Sequence, residues 1–188
     1  MRSIVLASSS PQRVRLLLKH GFFFEIFPSD IEENIDPQKT PQENAECLAV
    51  QKAKAVFEKY PNSLVLSADT LVVSPSGAIL GKPESREHAR EMILEKKGKR
   101  EQVITGFCLL SKEKQRSGAE ISEVHYRDFS EDDLIKILNS EEWKEVSGAL
   151  RIEGKAMKRI LKGFSGDREN IIGLPMNRVK EEIQKWDA

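Results

Sequence analysis

Near the start of the chain a short apolar run, Ile4–Ala7, leads directly into Ser8-Ser9-Ser10-Pro11-Gln12-Arg13. The run reads as a buried strand, and Pro11 as the first residue of a helix capped by Ser10. The first N–H groups of a helix have no intrahelical partner and attract anions, and the hydroxyls add donors. Arg13 falls within the first turn, where its guanidinium can reach a phosphate bound there. A heavily capped helix with Arg13 turned to solvent fits the same letters.

Four further positions carry charge where charge is costly or useful. Lys52 lies on or beside the apolar stripe Ala45, Leu48, Ala49, Ala53 and Val56 of the next helix, so it must snorkel to water or meet an anion. Asp69 closes the apolar run Leu64–Ala68, a usual position for a metal ligand or general base, and equally for a turn cap. In Gly81-Lys82-Pro83, Gly allows close backbone approach, Pro fixes the exit and Lys offers a point charge. Alone it is also an ordinary surface turn. Glu32-Glu33 sits in an acidic loop, whose hard oxygen ligands suit Mg²⁺ or Mn²⁺ or are simply solvated.

Arg13, Lys52 and Lys82 can together neutralise a polyphosphate, while Glu33 and Asp69 hold a divalent cation on it. Other chemistries lack support. His20, His88 and His125 are scattered without metal-ligand spacing. The sequence has no Walker-type phosphate loop, no dinucleotide fingerprint and no nucleophile elbow.

These residues need a scaffold, and 188 residues suit one domain with a real core or two small lobes sharing one. The content is 39% hydrophobic and 32% charged, ordinary for a globular chain. Thirty basic residues balance thirty acidic ones, which argues against a general nucleic-acid binder. Cys47 and Cys108 form no metal or disulfide framework. Ile4–Ala7 is too short for a signal core or a membrane span, so cytoplasmic residence without membrane association is expected.

Strand and helix patterns alternate, which predicts an α/β class. After the first helix, ended by Gly21, the pattern gives a strand over Phe22–Phe27. Thr40, Pro41 and Glu43 form a capping box opening a helix to about Lys59. Strands are predicted at Leu64–Ala68 and Leu71–Val73, then a helix over about Glu84–Lys97. Val103–Leu110 and Glu120–Arg127 read as paired strands joined by Lys112–Gly118. A short helix capped by Ser130, a strand at Gly148–Ile152, a helical turn at Ala156–Leu161 and a loop at Gly163–Pro175 follow. The amphipathic helix Met176–Trp186 closes the chain.

Taken in order, Leu6-Ala7-Ser8-Ser9-Ser10-Pro11-Gln12-Arg13, Ser67-Ala68-Asp69-Thr70, Gly81-Lys82-Pro83, Val103-Ile104-Thr105-Gly106 and Ile171-Ile172-Gly173-Leu174-Pro175 resemble five motif blocks of the Maf family of nucleotide pyrophosphatases. The similarity spans nearly the whole chain, as a single domain over 1–188. It implies an elongated mixed β-sheet flanked by helices, two lobes with a central cleft, as in ITPase-like proteins. It implies hydrolysis of a nucleoside triphosphate between the α- and β-phosphates, a divalent metal, and commonly a homodimer. Catalysis would fall to Asp69 with Glu33, the same pair holding the metal. Ser8, Ser10, Arg13, Lys52, Thr70 and Lys82 would bind substrate.

The sequence departs from that pattern at several places. Gln12 replaces the first of two usual arginines, and Glu101 stands where a His is usual. Val146, Leu150 and Glu153 replace the Lys, Tyr and Gln of a later block. In the resemblance, Gln at the Glu153 position goes with dTTP and UTP and Glu with 7-methyl-GTP, whereas Ser67-Ala68-Asp69-Thr70 looks like the dTTP/UTP branch. Glu153 is the expected base reader, because a carboxylate accepts from the N–H edge of a guanine-type base. The alternative from another class is a nucleotide-binding regulator of septum formation with little catalysis.

Overall fold

In the computed structural model, which describes residues 3–187, the first two helices start where the sequence places them, whereas the expected loop at Gly163–Pro175 holds the end of a strand, Leu161–Ser165, and a short helix, Arg168–Ile172. β1 (Ile4–Leu6) runs into α1 (Pro11–Lys19), where the Ser10 hydroxyl accepts from the Arg13 N–H at 3.4 Å. Gly21 follows in the left-handed region, φ +75°, and lets the chain turn back. β2 (Phe24–Ile26) comes next, then α2 (Pro41–Phe57). Its capping box is reciprocal: Thr40 Oγ1 accepts from the Glu43 N–H, and Glu43 Oε2 accepts from the Thr40 N–H.

β3 (Leu64–Val73) is one unbroken strand, so Asp69 lies inside it instead of ending it. All of its residues except the half-buried Thr70 are buried. Burial on both faces carries the strand through Ser67, Asp69 and Thr70, the last two being the polar residues at which the sequence suggested a break. The remaining elements are β4 (Ile79–Leu80), α3 (Arg86–Glu95), β5 (Arg100–Leu110), β6 (Gln115–Tyr126), α4 (Glu131–Asn139), α5 (Met157–Ile160), β7 (Leu161–Ser165), α6 (Arg168–Ile172) and α7 (Met176–Asp187). β6 begins at Gln115, inside the expected connection. No strand forms at 148–152. A 3₁₀ turn, Ser147–Ala149, stands there, and the left-handed Gly148 (φ +69°) and Ala149 (φ +64°) exclude extended pairing.

The strands form a mixed seven-stranded sheet in the order β2-β1-β3-β5-β6-β7, with β4 paired to β3. β1 runs parallel to β2 and β3, while β3–β4 and β6–β7 are antiparallel. The sheet is flanked by helices, as the α/β reading expects.

Two compact units divide the chain. The first takes residues up to Thr70, Thr105–Glu120 and the segment from Gly173. In it Ala49, Ala53 and Val56 of α2 pack on Val5, Ala7, Val65 and Cys108. Small side chains let α2 lie close to the sheet. Closest is Gly106 on β5, where an added Cβ would stand 2.1 Å from the Ala45 carbonyl oxygen. The second unit takes Leu71–Ile104 and Ile121–Ile172. Its core joins Met92 and Ile93 of α3, Leu134 and Ile137 of α4, and Met157 and Ile160 of α5 to Val103, Val124 and Tyr126. Beside Tyr126 lies a buried ion pair, Lys96 with Glu101, and the Tyr126 hydroxyl donates to the same carboxylate. Desolvation, then the Glu101 charge and hydrogen bond, push the phenol pKa well above its ordinary value.

Candidate active site

Strand periodicity sorts the polar residues of β3 onto two faces. Ser67 and Asp69 point to the α2 side. The Ser67 hydroxyl donates to the Ala49 carbonyl at 2.5 Å, and Asp69 Oδ1 meets the Lys52 ammonium at 2.5 Å. Thr70 points the other way, toward Arg13 of α1 and Thr105 of β5.

Lys52 does not snorkel to water. Its ammonium lies 2.5 Å from Asp69 and 2.5 Å from Glu33, with Lys52 and Asp69 almost fully buried and Glu33 about half exposed. The acidic loop that brings Glu33 there is tied down by Asn44, a residue the sequence reading passed over. The Asn44 amide donates to the Asp36 and Lys39 carbonyls, and its oxygen accepts from the Asp36 N–H at 2.9 Å. Asn44 is 2% exposed on the inward face of α2, where it passes for one more stripe position.

Arg13 is held by a fork. Its Nη1 donates to Ser8 Oγ at 3.0 Å, its Nη2 to Thr70 Oγ1 at 3.1 Å, and its Nε to the Gly173 carbonyl at 2.9 Å. Thr105 in turn meets Thr70 at 3.0 Å. Burial lowers the Arg13 pKa from its ordinary value, opposed by the Asp69 and Glu33 charges; a guanidinium starting that high stays protonated. Gly173, at φ +125°, supplies its carbonyl in a conformation few other residues adopt. This gives the Ile171–Pro175 block a physical reason that the sequence did not disclose. Ser10 is committed to capping: its Oγ accepts from Arg13 N–H and donates to Gln12 Oε1, while its own N–H donates to Ser8.

The first unit therefore gathers Ser8, Ser10, Arg13, Glu33, Lys52, Asp69 and Thr70. Lys82 and Glu153 belong to the second unit. There Lys82 is exposed and pairs with Glu145 at 2.7 Å, and Glu153 is exposed. Among the described residues no group of three or more His, Cys, Asp or Glu side chains is placed to hold a metal alone. Among them, too, no helix is long and apolar enough to cross a membrane.

Comparisons with known proteins show the family. A family profile described as Maf-like protein matches residues 3–186. The dTTP/UTP pyrophosphatase of Pyrococcus abyssi is 41% identical over 183 residues, covering 96% of this chain and 95% of its own. That of Geobacillus sp. (strain WCH70) is 37% identical, covering 98% of both. Among solved structures, the Staphylococcus aureus Ham1 protein aligns with a TM-score of 0.55 at 12% identity over 98% of this chain and 99% of that one, a likeness of fold. With the motif blocks, the fold and a match along almost the whole length in agreement, the chain belongs to the Maf family.

Proposed function

We propose that this protein is a nucleoside triphosphate pyrophosphatase that hydrolyses dTTP and UTP to the monophosphate and pyrophosphate. The observation that carries the reading is the Glu33–Lys52–Asp69 cluster, with the Arg13 fork fixed at Thr70, the next residue of the same strand, where it feels the Asp69 and Glu33 charges. The relatives named dTTP/UTP pyrophosphatase supply the substrate class.

Charge balance favours a metal. Arg13 and Lys52 already face Asp69 and Glu33, two cations against two carboxylates, so a triphosphate entering here brings uncompensated negative charge. Two hard carboxylates on one point fit Mg²⁺ or Mn²⁺, which is usually bound by one or two carboxylates plus substrate phosphates. Glu33 and Asp69 would hold the ion. When bound, it would neutralise the phosphates and polarise the bond to be broken.

The protein's own groups do the rest. Asp69, withdrawn from solvent and fixed by Lys52, orients and takes the proton of the water that attacks the α-phosphate. Lys52 keeps that carboxylate in place and offsets charge on the leaving pyrophosphate. The Ser8–Thr70–Gly173 contacts lock the Arg13 guanidinium in one orientation, so little freedom is lost when its remaining N–H groups meet phosphate. Ser10 and Ser8 line the same loop. The relatives weigh toward uracil and thymine as the base.

The test is pyrophosphate release from a panel of dTTP, UTP, GTP and 7-methyl-GTP with Mg²⁺ or Mn²⁺. Turnover highest on dTTP and UTP is expected. Tight nucleotide binding with no pyrophosphate released would overturn the enzymatic reading in favour of the binding-only regulator.

A further inference from the structure

Asn44 stands one turn into α2 with its side chain buried and turned back on the loop before the helix. Its Oδ1 accepts from the Asp36 N–H at 2.9 Å. Its Nδ2 donates to the Asp36 carbonyl at 2.9 Å and lies 3.2 Å from both the Lys39 and Thr40 carbonyl oxygens. A side chain that only finished the helix start would need none of the Asp36 contacts, because Thr40 and Glu43 already cap that end.

Both backbone polar groups of Asp36 are thus held by one amide. The Asp36 carboxylate is held as well, accepting from the Gln38 N–H at 2.9 Å and standing 3.0 Å from the Lys39 ammonium. Glu33 lies three residues upstream, within about 10 Å of chain from that anchor. At the other end of the loop the Phe27 N–H donates to the Leu6 carbonyl at 3.0 Å, and the Phe27 ring meets Tyr60 edge-on at 5.1 Å. Residues 28–35 therefore bridge two fixed points.

This matters for Glu33 because its carboxylate is half exposed while its partner Lys52 is buried. On a free loop, the entropy of ordering the chain would offset most of what such a pair contributes. Asn44 and Lys52 both lie on the inward stripe of α2, two turns apart. One helix face grips the loop twice, by its backbone at Asp36 and by its charge at Glu33.

We propose that Asn44 is a positioning residue for Glu33, holding the loop so that the carboxylate stands with Asp69 at the Lys52 ammonium before metal or nucleotide arrives. This rests on the reading that Glu33 and Asp69 hold the divalent ion. A preset pair of carboxylates binds an ion more tightly than one that must be ordered at each binding event.

The test compares wild type, Asn44→Ala, Glu33→Gln and the double variant by two measurements. The first is amide hydrogen exchange in metal-free protein. Asn44→Ala should speed exchange on the order of tenfold across residues 31–36, while residues 48–56 of α2 keep their protection and so report an intact fold. If Asn44→Ala does not fold, Asn44→Asp has nearly the same shape, keeps the acceptor for the Asp36 N–H and loses the donors, and serves in its place. The second is the Mn²⁺ concentration for half-maximal pyrophosphate release from UTP. Asn44→Ala should raise it by about tenfold, the low end for residues that support a metal ligand, with kcat at saturating Mn²⁺ little changed. That increase should vanish in the Glu33→Gln background. Unchanged loop exchange in Asn44→Ala overturns the positioning role. So does faster exchange with an unchanged Mn²⁺ requirement, and if Glu33→Gln still raises that requirement the metal reading stands. If Glu33→Gln leaves the Mn²⁺ requirement unchanged, the metal role of Glu33 fails first and the role of Asn44 with it.

Discussion

Lys52 of α2 and Asp69 of β3 meet at 2.5 Å with both side chains withdrawn from water. The pair exists because Ala49 and Ala53 flank Lys52 with small side chains, so α2 sits close enough on β3 for an ammonium to reach a buried carboxylate. Glu33 closes the same ammonium from the loop side. Removing one partner from such a cluster leaves an uncompensated buried charge, which costs more than the pair contributes.

Asp69→Asn should therefore reduce kcat by about 10²–10³-fold, the typical loss of a charge-handling group at a reacting centre. Nucleotide binding, followed by thermal shift with metal present, should survive. Lys52→Met should destabilise the fold by about 3–5 kcal/mol in urea titration. An Asp69→Asn enzyme with near wild-type turnover would remove Asp69 from the mechanism.

Arg13→Lys keeps the charge but loses the fork to Ser8, Thr70 and Gly173. An ammonium cannot reproduce that planar arrangement, and kcat/KM should fall on the order of tenfold or more. A variant as active as wild type would show that only the charge matters.

Gly106→Ala places a methyl 2.1 Å from the Ala45 carbonyl oxygen, a backbone atom that cannot rotate away. It should push α2 from the sheet, cost about 1–3 kcal/mol or more in urea, and lower activity through Lys52. Gly118→Ala is the control. Its added methyl would make ordinary contact with the Phe107 ring at 3.4 Å, and the midpoint should shift little.

The Asp133 carboxyl is held below its ordinary pKa by hydrogen bonds from the Ser130 hydroxyl and N–H in the α4 capping box. A lowered folded-state pKa gives stability that is present above the unfolded value and lost as pH falls through the folded one. Stability should thus decline below about pH 4, and Asp133→Asn should shallow that decline. Denaturation midpoints measured between neutral and acid pH report it, and an unchanged acid limb would count against the cap.

Burial pushes the Cys108 thiol up to about 12. Thiolate is the nucleophile, so iodoacetamide at mild alkaline pH should label Cys47 and spare Cys108 until the protein unfolds. Mass spectrometry of the labelled peptides checks this.

Local signals were legible without coordinates where they act within a few residues. The Ser10 and Thr40 caps, Pro11, Pro41 and the Gly21 stop lie where their chemistry puts them. The left-handed turn at Gly148 and Ala149 was not legible, since its letters also fit a strand. Asn44 escaped for a related reason: its partners are backbone carbonyls of a loop, which no side-chain pattern reveals.

The sequence by itself determined the α/β class, the capped starts of the first two helices and a set of cations and carboxylates suited to phosphate chemistry, because caps, prolines and apolar period are short-range physics. Only the tertiary structure decided that Lys52 turns to Asp69 and Glu33 rather than to water, that Arg13 is forked between Ser8, Thr70 and Gly173, and that Lys82 is held by Glu145. Those contacts join residues from distant parts of the chain. Which charge meets which depends on how closely a helix lies on a strand, a distance set by alanines and a glycine whose own letters carry no charge at all.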